Sequence, residues 1–296
     1  MAQRKVILED LEALSSLKEL AESYEEIAVI RMQKLKDSVL RTRNFLAEIS
    51  DVFVDLKASH LREIAELLEK RRKDNSSLSP SLQKKGKTLL VYLSSNTKFY
   101  GAITQKTFRL FLAEVRKPQE PQPDIAIIGK VGKELYDTID NHKKYEFFEL
   151  PETNVGIDYI RDLVGKFLQY EKVLVFYGKF GNVVKQIPFS TSITGDDIFE
   201  TEILTPTPRE DRFIFEPILD KIFHFFETQI MANLFGQTLL ENQLARHSSR
   251  VNAMEEALIH IEEESKKLTL IKNRLRQQTE NTKQLETISG MALWED

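Results

Sequence analysis

An α/β domain inserted between two long terminal helices is the fold this sequence predicts, and three observations predict it. All nine prolines of the 296-residue chain lie between Pro80 and Pro217, and nine of the eleven glycines lie between Gly86 and Gly195, so both ends are almost free of helix breakers. Inside a helix, proline costs about 3 kcal/mol and glycine about 1 kcal/mol, so two breaker-poor ends read as two long helices. Both ends also carry apolar residues in steps of three and four, whereas the middle holds short β-branched and aromatic runs alternating with helical patterns.

The first helix is read within residues 1–72. Its seam runs through Ile7, Leu11, Leu14, Leu17, Leu20, Tyr24, Ala28, Met32, Leu35 and Val39, and after Thr42 through Leu46, Ile49, Phe53 and Leu56. Residues 73–87 form a linker, where Asp74, Asn75, Ser76, Ser77, Ser79 and Pro80 favour turns. Residues 88–210 form the α/β domain. Thr88–Leu93, Asp124–Gly129 and Lys172–Tyr177 have the composition of buried parallel strands, and helical patterns cover Thr104–Glu114, Gly132–Asn141 and Val155–Tyr170. Thr191–Arg209, with Pro206 and Pro208, reads as an irregular return. The second long helix occupies 211–296, with a seam through Val251, Met254, Leu258, Ile261, Ser265, Leu268, Ile271, Leu275, Gln278, Thr282, Leu285, Ile288 and Ala292. At about 1.5 Å per residue either helix makes a rod on the order of 100 Å long, which cannot bury its own stripe. The expected arrangement is therefore an antiparallel two-helix coiled coil carrying a small Rossmann-like parallel sheet with its helices.

Composition excludes several chemistries. A formal net charge of −4 from 42 basic and 46 acidic residues argues against nucleic-acid wrapping. With no cysteine, there is no disulfide framework, thiol nucleophile or cysteine metal site. No stretch approaches the run of about 18 apolar residues that spans a bilayer, and the opening MAQRKVILED lacks an apolar signal core, so a soluble chain is expected.

The catalytic motifs fail on context. Gly86-Lys87-Thr88 ends like a phosphate loop, but the first glycine of that motif falls at Ser81, and Thr88 enters a strand where a helix is required. Gly129-Lys130-Val131-Gly132-Lys133 follows a strand and opens a helix, yet matches neither nucleotide fingerprint. His60, His142, His224, His247 and His260 form no metal-ligating pair, and Ser94 and Ser95 lack a nucleophile elbow and read as turn residues. Lys70–Lys73 and Glu262–Glu264 read as solvated faces of helices. No catalytic residue, cofactor or metal is expected. The residues leave open a coiled-coil scaffold with an interaction module, or a nucleotide-dependent enzyme with a helical arm.

Several strings, in order, carry a resemblance that covers nearly the whole chain. HSSRVNAMEEA (His247–Ala257) is similar to HxxRMxAMxxA, NRLRQ (Asn273–Gln277) to NKARQ and ISGMAL (Ile288–Leu293) to IVSGAxAL. SSNTKFYGA (Ser94–Ala102) stands where SSDRGLCGG is found, GKVG (Gly129–Gly132) resembles GKKG, and FIFEP (Phe213–Pro217) resembles YxFEP. Together they resemble the gamma subunit of F-type ATP synthases. The chain departs from that pattern in the first helix, where Tyr24–Gln33 replaces a basic QKITKAMxMV segment, and in the last, where Asn281 replaces a threonine and Lys283 a glutamate. A divergent gamma chain, or a gamma-like subunit of a related rotary ATPase, is implied.

The resemblance implies a rotor shaft within a ring of alpha and beta subunits, the α/β domain meeting the epsilon subunit and the c-ring, on the cytoplasmic face of the membrane (or an organelle's inner face). It implies that Arg276 and Gln277, with Asn281 and Lys283, grip a beta subunit, and that Leu293 and Trp294 sit at the shaft tip. No direct nucleotide binding is implied.

Overall fold

The computed structural model describes residues 2–59, 86–118, 120–139, 143–151, 155–194 and 219–292. In chain order the elements are α1 (Ala2–Ser59), β1 (Thr88–Leu93), α2 (Ile103–Val115), β2 (Asp124–Ile128), α3 (Lys130–Asp137), β3 (Glu146–Phe148), α4 (Ile157–Phe167), β4 (Lys172–Phe180), β5 (Gln186–Ser192) and α5 (Leu219–Ala292). Most of the expected linker and most of the expected irregular return lie outside the described residues. The chain divides into two compact units, one of residues 31–249 and one of 1–30 with 250–296.

In the larger unit the five strands take the order β3-β2-β1-β4-β5. β1, β2, β3 and β4 are parallel, with Leu90 beside Ile125 and Leu174, whereas β5 runs antiparallel to β4. The sheet is therefore mixed, not wholly parallel as the sequence suggested. β3 and β5 were not foreseen, and Thr191 and Ser192 belong to β5, not to an irregular return. Pro188 has no N–H to give, and an edge strand tolerates that.

Side chains alternate across the sheet, so each central strand feeds two cores. Leu89, Val91 and Leu93 of β1 face Leu163, Val164 and Phe167 of α4 and Met231, Phe235 and Leu239 of α5. Leu90 and Tyr92 face Phe108, Phe111 and Val115 of α2 and Tyr136 of α3. The start of the last long helix is thus a layer helix of the α/β sandwich: Phe235 is fully buried, its ring 5.4 Å from and edge-on to that of Phe167. Truncating such a ring costs about 3–5 kcal/mol.

In the smaller unit the chain's two ends run antiparallel. The guanidinium of Arg250 lies 5.4 Å from the Tyr24 ring centre, and further out the ammonium of Lys18 acts on the carboxylate of Glu262. The shielded stripe of α1 in this unit includes Ile7, Leu11, Leu14, Ala21, Glu25 and Ala28. Leu17 and Leu20, expected in the seam, are 51% and 53% exposed, while Ala21 and Ala28 are buried. Ala28 was expected on the seam and Ala21 was not. On α5 the stripe follows Val251, Met254, Leu258, Ile261, Ser265, Leu268, Lys272 and Leu275, with Ile271 exposed. The seam stops there. Gln278, Thr282, Leu285 and Ile288, read as its continuation, are exposed.

Candidate functional site

In a doubly wound sheet, ligands settle beyond the C-terminal ends of the strands where the strand order reverses. Here that point lies between β1 and β4, in the larger unit. β1 ends at Leu93 while β4 continues to Phe180, so the backbone groups at this step lose their ladder partners. Asn242 of α5 replaces them. Its Oδ1 accepts from the N–H of Gly178 at 3.0 Å, and its Nδ2 donates to the carbonyl of Leu93 at 3.4 Å. A side chain at Gly178 would begin 2.8 Å from Ile103 Cγ1 and 3.3 Å from Ala245 Cβ. α2 and α5 therefore close over the crevice where such sheets hold a nucleotide.

The second place a phosphate could go is the start of α3, reached through Gly129-Lys130. The N–H of Lys130 donates to Asn96 Oδ1 at 3.1 Å, and that of Val131 to the carbonyl of Ser95 at 2.9 Å. Asn96 in turn donates to the carbonyl of Leu150 at 2.6 Å. Gly129 has φ +100, and an added Cβ would lie 2.8 Å from the Ser95 nitrogen, so glycine is needed for the loop after β1 to approach. The amides that could cradle an anion serve the protein itself. Lys87, of the other glycine-lysine pair, sits at the opposite end of β1 and contacts Asp124 at 3.3 Å.

Strings that stood far apart in sequence meet here. Asn96 of Ser94–Ala102 caps the helix opened by Gly129–Gly132, and Tyr100 of the same loop receives Arg246, whose guanidinium lies 4.9 Å from its ring centre, and His247, edge-on at 5.6 Å. From Glu241 to Ser249 every residue of α5 is buried, and most are polar. Buried polar groups need partners, and Glu241, Asn242 and Ser248 find theirs on other parts of the fold, although Glu241 Oε2 has none among the described residues. Glu241 Oε1 accepts from Arg43 Nε at 2.9 Å and from Gln237 Nε2 at 3.0 Å, while Arg43 Nη2 donates to the carbonyl of Phe180 at 3.3 Å. The Ser248 hydroxyl donates to the Val183 carbonyl at 2.8 Å and accepts from Gln186 Nε2 at 2.9 Å. Burial and the charge of Glu241 push the Tyr177 phenol well above its ordinary range, with Arg43 opposing. The sequence singled out His247 and the glycines but gave no role to Glu241, Asn242 and Ser248, whose partners, the Arg43 side chain for Glu241 and backbone groups for Asn242 and Ser248, only the fold brings near.

The residues expected to grip a partner lie in the smaller unit. Arg276, Gln277, Asn281 and Lys283 are all exposed, just past the last shielded residue, Leu275. Arg276 Nε contacts Glu280 Oε1 at 2.7 Å, and this bond holds the guanidinium pKa above its usual value. Arg276, Glu280 and Lys283 follow a spacing of four and three, which aligns them along one face of α5, with Gln277 and Asn281 on the adjoining row. Leu293 and Trp294 lie outside the described residues, as do His60 and His142. Among the described residues no three His, Asp or Glu side chains gather as a metal site. No helix among them is long and apolar enough to cross a membrane.

Comparison with known proteins agrees with this arrangement along almost the entire chain. An ATP synthase gamma chain of Ruthia magnifica is 24% identical over 303 residues and covers 99% of both sequences; one of Geobacter sp. strain M21 is 25% identical over 310 residues and covers 98% of both. Among solved structures, a chain of the Euglena gracilis mitochondrial ATP synthase, in an assembly of OSCP, F1 and c-ring, superposes with a TM-score of 0.65 at 15% identity, covering 98% of this chain and 94% of that one. A chain of the Tetrahymena thermophila mitochondrial ATP synthase central stalk and c-ring gives 0.54 at 17% identity, covering 80% of this chain and 99% of that one. The sequence model of the ATP synthase family matches residues 3–292, both long helices and the sheet between them included, and the chain belongs to the gamma-chain family of ATP synthase.

Proposed function

We propose that this chain is the central-stalk rotor subunit of an F-type rotary ATPase and does its work mechanically. The observation that carries the reading is the crevice at the β1/β4 switch point, filled by Asn242 and Ala245 from the chain's own last helix in a fold that otherwise keeps a ligand there. A sheet that has given up its ligand site, joined to two long helices in a member of the gamma-chain family, is suited to transmitting force.

In this reading the paired ends of α1 and α5 form an antiparallel coiled-coil shaft on the axis of a ring of alpha and beta subunits. Residues 1–72 and 211–296 supply the shaft and 88–210 the α/β domain. An asymmetric shaft contacts the three catalytic subunits unequally, and unequal contact biases which of them is open or closed. Arg276, Gln277, Asn281 and Lys283 grip a loop of one beta subunit, with Leu293 and Trp294 at the tip bearing. Guanidinium and amide groups suit a directional, polar hold. The α/β domain meets the epsilon subunit and the polar loops of the c-ring. The chain itself is non-catalytic, binds no nucleotide and lies peripherally on the cytoplasmic face of the membrane.

Co-purification tests this directly. A tagged chain expressed in its own cells is expected to bring down alpha, beta and epsilon subunits and the c-ring in one complex, and the isolated chain to give no stoichiometric heat with ATP in calorimetry. Recovery without those subunits would favour a free coiled-coil scaffold. Tight ATP binding by the isolated chain would favour an enzyme with a helical arm.

A further inference from the structure

We infer that the buried polar segment Glu241–Ser248 of α5 is a torque lock, in which Asn242 and Ser248 act as positioning residues that hold the sheet at one register on the helix while the rotor is under load. The inference rests on the rotor reading and extends it to a residue-level joint.

The contact between α5 and the sheet has two parts of different physical character. Met231, Phe235 and Leu239 provide an apolar footing. Apolar burial resists separation, and its interdigitated side chains resist sliding by packing, but the hydrophobic term itself has no direction. The neighbouring segment is the opposite, buried yet mainly polar, from Glu241 to Ser249. Its bonds leave the helix toward different elements. Asn242 reaches the ends of β1 and β4, Ser248 reaches the β4–β5 turn at Val183 together with Gln186, and Glu241 receives Arg43 from α1. Arg43 also donates to Phe180 at the end of β4. Ser248 stands six positions beyond Asn242, about 9 Å along the axis. Directional bonds at two levels of the helix, to two strands and a turn, oppose rotation as well as translation, because either movement leaves buried donors and acceptors unpaired. A helix that merely filled a sandwich layer would do so with apolar side chains, as this one does at Met231, Phe235 and Leu239.

The experiment uses the complete complex in lipid vesicles, driven by ATP against an imposed ion gradient, with Asn242→Leu as the near-isosteric variant and Ser248→Ala as the milder one. Hydrogen exchange reports the local loss, with about ten-fold faster exchange expected at the Gly178 amide in Asn242→Leu. Hydrolysis without a gradient is expected to stay within about two-fold of the parent, since the lock touches no reacting group. Pumping is expected to fail against a gradient that the parent sustains. The chain has no cysteine of its own, so a Val183→Cys/Ser248→Cys pair closed by a short thiol cross-linker restores a fixed joint within it, and load tolerance is expected to return in the Asn242→Leu background. Unchanged load tolerance, or a loss that the cross-link leaves unrepaired, overturns the inference. Should Asn242→Leu fail to assemble, Ser248→Ala decides by the same load criterion, a loss of load tolerance supporting the lock and unchanged load tolerance overturning it. A parent chain that neither assembles nor pumps would instead sink the rotor reading itself.

Discussion

The side-chain amide of Asn242 and the backbone N–H of Gly178, 64 positions apart, meet at 3.0 Å and continue the ladder of β1 after β1 has ended. One side chain of the last helix therefore does the work of a strand residue, satisfying a donor on β4 and an acceptor on β1. Fit at this step is close enough that single methyl groups matter.

Gly178 and Gly165 provide a paired test of that fit. An alanine at 178 would place its Cβ against Ile103, Ala245 and Asn242, whereas at Gly165, within α4, nothing lies within 4 Å. Overpacking costs about 1–3 kcal/mol, so Gly178→Ala is expected to lower the unfolding free energy by that amount. Gly165→Ala is expected to raise it by roughly 0.5–1 kcal/mol through the stiffer unfolded chain and the better helix former. Denaturant titration of the isolated chain measures both; equal effects would mean that the strand end is loosely packed.

Alkaline pH should unfold the larger unit. Burial pushes the phenols of Tyr92 and Tyr177 well above the ordinary tyrosine range, and that of Tyr170, which donates to Asp124 at 3.1 Å, up to about 12. A pKa raised in the folded state means that the native protein keeps protons the unfolded chain has given up. The stabilisation is complete below about pH 10, the unfolded value, and drains away as pH climbs through the native values. Phenolate absorbance is expected to rise in two stages, the second coinciding with loss of helical circular dichroism. A single smooth rise ending before any unfolding would show that these rings are open to solvent.

The legible parts of this fold were those carried by local pattern. Thr88–Leu93 and Lys172–Tyr177 are apolar on both faces, as a central strand must be, and their composition alone places them. β5 was not legible, since Gln186, Pro188, Ser190 and Ser192 look like a loop, and only its position at the edge against β4 makes a strand of them. In α1 the three-four rhythm admits more than one stripe. The seam reads through Leu17, Leu20 and Ala28; Ala28 is buried accordingly, but Ala21 is buried where Leu17 and Leu20 are exposed. The site was hardest to read. Glu241, Asn242 and Ser248 have the composition of a solvated surface, and their partners, Arg43 of α1 for Glu241 and backbone groups of β1, β4 and the turn beyond for Asn242 and Ser248, come together only in the folded chain.

Beyond Leu275 the isolated chain should exchange its amides quickly. The side chains from Arg276 to Ser289 are exposed, and an unaccompanied helix of this length is marginal in water. Hydrogen exchange of the free chain is expected to be fast over 276–292 and slow at Leu90, Val91 and Ile127 in the sheet core, with the end segment slowing once the complex assembles. Equal protection in both regions of the free chain would contradict the shaft assignment.

The last prediction concerns Lys283, which stands where the family pattern has an acid. Its neighbours along the face are Glu280 and, one turn further back, Arg276, which bond each other, and Lys283 itself is exposed. Sequestered in a ring, a reversed charge is tolerable only if the facing partner has changed as well, because a like-charge contact removed from water costs several kcal/mol. The cognate ring is therefore expected to present a carboxylate or backbone carbonyl toward Lys283, and basic groups toward the exposed Glu26. Glu25, the other acid of that pair, is half-buried on the stripe of α1 and belongs to the helix pairing instead. Lys283→Glu should weaken the coupling of ATP hydrolysis to ion pumping, and Lys283→Gln should do so less, in the order of lost attraction followed by added repulsion. The comparison belongs at low salt, where screening does not hide it. If Lys283→Glu pumps as well as the parent under those conditions, the residue points into water throughout the cycle and the compensating partner does not exist.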